Sequence, residues 1–319
     1  MKLKQHQIKG FIAQYSIYII TLVFMIICAF LNDRFLTPNN LVNILRQVCV
    51  YAMIAFAQSI LLISGNLDLC AGSTCCFAGI IGLYAYLWSG SLIVASIAAM
   101  ICGVVVNIVS GIVIAFFNLP AFVATLGMQM AVRGLCDVVT GGAAITRTGE
   151  NFRFIGQGFI FGVIPVSIFI MLVAAFILWI LLDRTVLGRN LYAVGGSREA
   201  ARACGINLRK YTMYAFMLAG AFVGMGGLML ASRVNGGLPT GAAGYEGQGI
   251  SAAVIGGIGF AGGTGSAWGA IVGALVLGII NNVLNLLGVD SYVQQIINGL
   301  VIVFAVGLDT YTRKMRISK

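Results

Sequence analysis

Residues 92–117 read LIVASIAAMICGVVVNIVSGIVIAFF, 26 residues without a charge. At about 1.5 Å per helical residue, such a run outlasts a hydrocarbon core of about 30 Å. It shows no strict two-residue alternation, so it does not read as a barrel strand. Inside lipid its backbone groups must be satisfied within the segment, as an α-helix does. Similar apolar runs lie on both sides, at about 11–31, 47–64, 69–88, 121–140, 163–182, 212–232, 249–261, 266–287 and 291–308. The run 249–261 is short and carries Gly256, Gly257 and Gly259, so it either crosses fully or only half-way.

The whole composition agrees. Of 319 residues, 60% are hydrophobic and 9% charged, and mean hydropathy is +1.01. Soluble domains carry roughly 25% charged residues. The expectation is an all-α polytopic membrane protein, a bundle of about ten transmembrane helices forming one domain over 1–319. The first run follows Lys2, Lys4 and Lys9, is long for a signal peptide and lacks a small-x-small cleavage site before Asn32. It is read as a retained helix.

Net charge is +10, and 13 of the 19 basic residues lie in three stretches. Lys2, Lys4 and Lys9 precede the first run; Arg184, Arg189, Arg198, Arg202, Arg209 and Lys210 share one central loop; Arg313, Lys314, Arg316 and Lys319 close the chain. Positive loops face the cytoplasm, so both termini and the loop 183–211 are expected there. An even number of spans satisfies all three. The charge is thus topological and implies a membrane-lipid partner, not nucleic acid. Segments 141–162 and 233–248 are expected outside, the second on an irregular path set by its glycines and Pro239.

Several chemistries are excluded. The eight cysteines (28, 49, 70, 75, 76, 102, 136 and 204) form no CxxC pair and read as small packing residues. The single histidine, His6, leaves no His-based catalysis or usual zinc site. There is no GxxxxGK[ST] to cradle ATP, no HExxH and no GxSxG. Gly257-Ile258-Gly259-Phe260-Ala261-Gly262 matches GxGxxG by letter only, since no strand precedes it and no acidic residue follows about 20 positions on. A secondary carrier would need midplane charges and inverted halves, and neither is evident. Glycine, 42 residues, has a packing use: Gly220–Gly224 and Gly269–Gly273 are spaced for close helix contact.

The central loop carries the functional signal: DRTVLGRNLYAVGGSREAARACGINLRK, residues 183–210. Ser197 suits an N-cap, Glu199 the positive first turn and Gly205 the C′ position, which defines a two-turn helix over 198–204. So short a helix is marginal alone in water. Ala200, Ala203 and Cys204 give it a small apolar face beside Arg198 and Arg202, a face suited to docking.

Glu199-Ala200-Ala201-Arg202-Ala203-Cys204-Gly205 resembles the EAAxxxG segment of ABC-importer permeases, and Gly188-Arg189-Asn190-Leu191-Tyr192-Ala193-Val194-Gly195-Gly196 resembles the GRxxYAVGG stretch of the ribose-type monosaccharide permeases. Asn66-Leu67-Asp68-Leu69 with Gly72-Ser73, Leu119 to Gly127, Gly244-Tyr245-Glu246 and Val254 to Gly257 extend the likeness along the chain. Departures are Asn66 for a glycine, Cys70-Ala71 for Ser-Val, and Gln248 for an apolar residue. The resemblance implies a permease subunit of the bacterial inner membrane, not an enzyme. It would import a monosaccharide such as ribose, galactose, xylose or allose. It implies as partners a cytoplasmic ATPase with two nucleotide-binding domains, an extracytoplasmic sugar-binding protein and a second permease chain, a homodimer. No cofactor or metal is expected on this chain, ATP and Mg being used by the ATPase. Gly188, Arg189, Gly195, Gly196, Ser197, Arg198, Glu199, Ala200, Ala201, Arg202 and Gly205 would couple to that ATPase.

Polar residues within apolar runs are costly and are candidates for the path. Asp68 either caps a broken helix or lines the path. Asn281, Asn282 and Asn285 either hold helices together or offer amides to sugar hydroxyls. Arg133 and Asp137, four apart on one helix, are expected to pair.

Overall fold

The computed structural model of the chain describes residues 21–317 apart from Phe24, Leu31 and Arg147. The expected first span falls largely outside the described residues, which hold of it a short apolar helix, Thr21–Phe30. Lys2, Lys4, His6, Lys9 and Lys319 also lie outside them.

The described helices are α1 (Pro38–Ile63), α2 (Ala71–Ser89), α3 (Leu92–Phe117), α4 (Ala121–Thr140), α5 (Val166–Trp179, continued by a π turn over Ile180–Arg184), α6 (Val186–Gly196), α7 (Arg198–Ala203), α8 (Leu208–Val234), α9 (Tyr245–Ile255), α10 (Ala267–Leu286) and α11 (Ser291–Ile317). All of these except α6, α7 and α9 are long and apolar enough to cross a membrane. Between α4 and α5 lie two single helical turns, Glu150–Arg153 and Phe154–Gln157, and a small hairpin of β1 (Phe159–Ile160) with β2 (Ile164–Pro165).

The core forms around α1, which is buried from Val48 through Ile63. Proline at its first turn needs no intrahelical donor there. Two hydrogen bonds close its far end, Gly65 N–H to the Leu62 carbonyl and Asn66 N–H to the Leu61 carbonyl. Gly65 sits at φ +73°, which a side chain would resist.

Glycine sets the helix crossings, as the sequence spacing predicts. A Cβ on Gly220 would run into the Gly103 carbonyl of α3, and one on Gly224 into the Ala99 carbonyl. On the other side of the bundle, Gly269 packs on the Gly256 carbonyl and Gly273 on the Ala252 carbonyl. Lipid gives helices little hydrophobic reason to associate, so backbone approach of this kind carries the packing. Large apolar side chains point outward instead, including Ile93, Ile97, Ile101 and Val105 on α3 and Ile296, Leu300, Val303 and Phe304 on α11. Six cysteines are buried and free, Cys102 is half-buried and Cys204 is exposed.

One segment departs from expectation. Residues 233–248 are not a loop lying outside the bundle. Beyond α8 the chain turns back and descends along α2: Gly237 packs on Leu83 and Ile80, the Cys76 thiol donates to the Leu238 and Pro239 carbonyls, and Ala242 and Glu246 reach Gly72. This covers about 16 Å of depth at helical rise. Only then does α9 begin, its Tyr245 ring 5.0 Å from that of Tyr51, half-way along α1. Its 11 residues cover about half a membrane. The expected run 249–261 therefore begins within the helical half of a broken crossing, which α9 carries to Ile255. Its other half is irregular chain with successive turns, among them Gly241 N–H to the Leu238 carbonyl, which lipid tolerates only when protein surrounds it.

Candidate coupling and translocation site

Within the loop 183–211 the caps at Ser197 and Gly205 bound a helix as expected, and a further helix that the sequence reading did not single out, α6, precedes it. The Thr185 hydroxyl accepts from Gly188 N–H at 3.1 Å and opens α6, and the Ser197 hydroxyl accepts from Ala200 N–H at 3.2 Å and opens α7. Cys204 ends α7, and Gly205 follows at φ +79°. Gly205 N–H donates to the Arg202 carbonyl and Ile206 N–H to the Ala201 carbonyl, both at 3.0 Å, the double closure that a C′ glycine permits. Ala201 faces inward and is buried; Glu199, Ala200, Arg202, Ala203 and Cys204 stand exposed. The small apolar face thus remains uncovered, edged by Glu199 and Arg202.

The other residues of the stretch fasten α7 to the bundle. Gly188 lets α6 pack on the Leu181 and Leu182 carbonyls, and Gly195 packs on the Ile63 carbonyl at the end of α1. That carbonyl accepts from Gly263 N–H at 3.0 Å, and Gly262 and Gly263 lie against Gly195 and Gly196. Three backbones meet here because no side chain stands between them. Arg198 Nη2 donates to Asn66 Oδ1 at 3.1 Å. The Tyr192 hydroxyl donates to the Gly265 carbonyl at 2.9 Å; burial first, with the nearby Asp183 charge, pushes its pKa up to about 12, so it remains a donor. Arg189 is exposed. Arg184 lies over Trp179, Arg209 over Phe116 and Lys210 over Tyr214, positions in which a cation keeps its head in water beside a ring. Phe260 N–H bonds Asp309 on α11, which brings the C-terminal end of α11 to the same end of the bundle as α7.

Two irregular segments lie within the bundle, one entering from this junction and the other from the opposite end. The first is the α1–α2 connection. Gln58 holds the Asp68 peptide from both sides: its Nε2 donates to the Asp68 carbonyl at 2.6 Å and its Oε1 accepts from Asp68 N–H at 3.3 Å. Leu69 N–H donates to the Thr125 hydroxyl of α4 at 3.1 Å. Asp68 Oδ1 accepts from Cys70 N–H at 2.7 Å, the capping role, while its buried Oδ2 has no hydrogen-bond partner among the described residues.

The second segment is the broken crossing. Glu246, in the first turn of α9, accepts at Oε1 from Gln129 Nε2 at 3.1 Å, and its Oε2 is buried without a partner among the described residues. Arg133 does not turn to Asp137. Its Nη1 donates to the carbonyls of Pro239 and Gly241, at 2.9 and 2.8 Å. Irregular backbone within the bundle has carbonyls to satisfy, and they outcompete an exposed carboxylate. Thr125, Gln129 and Arg133 form one stripe along α4 that supports both segments. The four-residue spacing of these polar residues in an apolar helix was a visible signal that sequence reasoning did not use.

The asparagines are turned to other helices. Asn282 and Asn40 exchange two amide hydrogen bonds, at 2.8 and 3.0 Å, joining α10 to α1. Asn281 accepts from Asn298 of α11 and Asn285 from Gln294, both at 3.0 Å. Of the two roles the sequence left open, these bonds express the holding one. Beside the broken crossing lies a cavity of about 170 Å³, bounded by Cys75, Gly79, Gly227, Ala231, Gly237 and Tyr245 among others. Several carbonyls along it are already engaged, those of Leu238, Pro239 and Gly241 by Cys76 and Arg133. It is free volume beside the irregular segment, poor in open hydrogen-bonding groups.

A helical membrane bundle with two irregular intrusions that meet inside it, and a small helix left uncovered at one end, has the build of a transport subunit. The family described as branched-chain amino acid transport system / permease component matches residues 40–306, nearly the whole described bundle. The chain belongs to this family. It is 35% identical over 305 residues to the ribose import permease protein RbsC of Escherichia coli (strain K12), covering 94% of this chain and 95% of that one. The ribose import permease protein RbsC of Bacillus subtilis (strain 168) is 37% identical over 295 residues, 90% of this chain and 89% of that one. The galactose/methyl galactoside import permease protein MglC of Salmonella typhimurium is 32% identical over 320 residues, 94% and 95% of the two chains. No solved structure matches.

Proposed function

We propose that this chain is the membrane-crossing subunit of an ATP-driven importer that passes a monosaccharide of the ribose or galactose kind across a bacterial inner membrane. The observation that carries the reading is α7: a doubly capped helix of six residues with Glu199, Ala200, Arg202, Ala203 and Cys204 uncovered. A helix that short needs a surface to rest against. A cytoplasmic ATPase with two nucleotide-binding domains supplies it and hydrolyses the ATP, since the chain has no phosphate-cradling loop. The basic loop then lies in the cytoplasm with both termini. An extracytoplasmic binding protein delivers the sugar to the opposite end, and a second copy of the chain covers part of the outward apolar surface.

The path runs past the irregular segments, where Asp68 and Glu246 hold unpartnered oxygens that a sugar hydroxyl can meet. Asn281, Asn282 and Asn285 join its wall only in a conformation in which their helix-to-helix bonds exchange. With so few open polar groups the chain binds sugar weakly, and the binding protein confers affinity.

Co-purification tests the docking. An affinity-tagged chain is expected to carry the ATPase through purification. Glu199→Lys with Ala200→Trp reverses one charge and blocks close approach, and is expected to release the ATPase from a permease that still inserts. Unchanged recovery of the ATPase with the double variant contradicts the reading.

A further inference from the structure

The bond between Arg198 and Asn66 joins two parts that differ in kind. Arg198 begins the exposed helix α7, whereas Asn66 is 3% exposed and lies in the connection that leads into the bundle. Asn66 is held on its other side as well, its Nδ2 donating to the Ser64 hydroxyl at 3.1 Å and its N–H to the Leu61 carbonyl at 2.8 Å. Two residues on, Gln58 and Thr125 grip Asp68 and Leu69. The other ties at this corner are backbone contacts at Gly195, Gly196, Gly262 and Gly263, the Gly263 N–H bond to the Ile63 carbonyl, and the Tyr192 hydroxyl bond to the Gly265 carbonyl, none of which is a side-chain bond to the 64–70 segment. Arg198–Asn66 is the side-chain bond that joins α7 to the 64–70 segment, and a guanidinium donor makes it stronger than a neutral pair.

We infer that Asn66 is a positioning residue for energy coupling: through Arg198 it ties the displacement of α7 to the 64–70 segment and so to Asp68. This deepens the importer reading and rests on it. Without the bond, α7 moves with the ATPase while the segment stays behind, so ATP is still hydrolysed but less sugar crosses. Asn66 is buried and offers the ATPase no surface, so removing it separates transmission from docking.

The test uses the reconstituted complex of permease, ATPase and binding protein in proteoliposomes, with radiolabelled D-ribose or D-galactose, whichever the wild type takes up. The readout is sugar moved per ATP hydrolysed. Asn66→Ala is expected to lower this ratio about fivefold to tenfold, as the net loss of one hydrogen bond from an exposed arginine would, with the ATPase still bound. Arg198→Ala lowers it similarly, and the double variant is no worse than either single one. Asn66→Asp, which still accepts from Arg198, keeps a ratio near wild type and shows that the position tolerates change. An unchanged ratio in Asn66→Ala, additive losses in the double variant, or Asn66→Asp failing like alanine overturns the inference. If the wild-type complex moves neither sugar with ATP, the importer reading itself fails and this inference with it.

Discussion

Arg133 Nη1 lies 2.8 Å from the Gly241 carbonyl, so a cation on α4 fastens an irregular segment that packs along α2. The same nitrogen holds the Pro239 carbonyl, and two residues that are distant in sequence fix the outer half of a broken crossing. A charge inside a bundle is retained when it satisfies polar groups there, and of these two carbonyls Pro239's is shared with the Cys76 thiol.

Replacing Arg133 with Met keeps the bulk and removes the donors. The cost of stranding buried carbonyls is about 2–4 kcal/mol. A lower thermal midpoint is expected in detergent micelles, with Arg133→Lys falling between Met and wild type. Asp137→Asn, which alters an exposed group outside this contact, is expected to leave the midpoint unchanged. Equal stability of Arg133→Met and wild type would show that the segment is held by something else.

Glycine substitutions separate contact from composition. Gly273→Ala drives a methyl into the Ala252 carbonyl, and Gly220→Ala does so at Gly103, so both should reduce the yield of folded protein sharply. Gly134 on α4 faces open space, and Gly134→Ala should be neutral or slightly stabilising because alanine is the better helix former. Monodisperse yield by size-exclusion chromatography reads all three. Indifference at Gly273 would contradict the α9–α10 packing.

Thiol labelling tests orientation. Of the eight free cysteines, Cys204 is the exposed one, so a maleimide should modify it first in permeabilised cells. In intact cells an impermeant maleimide should miss it and reach a cysteine placed at Phe161, which is 94% exposed in the hairpin at the opposite end. Labelling of Cys204 from outside the cell would invert the topology.

The elements most legible in the sequence are those fixed by local rules. The uncharged run 92–117 becomes α3 residue for residue, because a long apolar segment in lipid has one way to satisfy its backbone. Ser197 and Gly205 fix α7 because caps are local chemistry. The broken crossing was less legible. Gly236, Gly237, Pro239 and Gly241 signal irregular chain but not its depth, and depth depends on Arg133, more than 100 positions away. The asparagines show the same limit. Their spacing marks a polar face on α10, but only the partners Asn40, Asn298 and Gln294 show what that face holds. Gln58 gives no local sign that it clasps Asp68.

The central claim is that the chain passes sugar under the drive of a partner's ATP hydrolysis. Reconstitution in liposomes tests it most directly, with uptake of labelled D-ribose or D-galactose as the readout. The permease alone should neither accumulate sugar nor hydrolyse ATP. Adding the ATPase, the loaded binding protein and ATP on the ATPase side should produce uptake that a protonophore leaves intact. Accumulation by the permease alone, given only a proton or sodium gradient, would contradict the account.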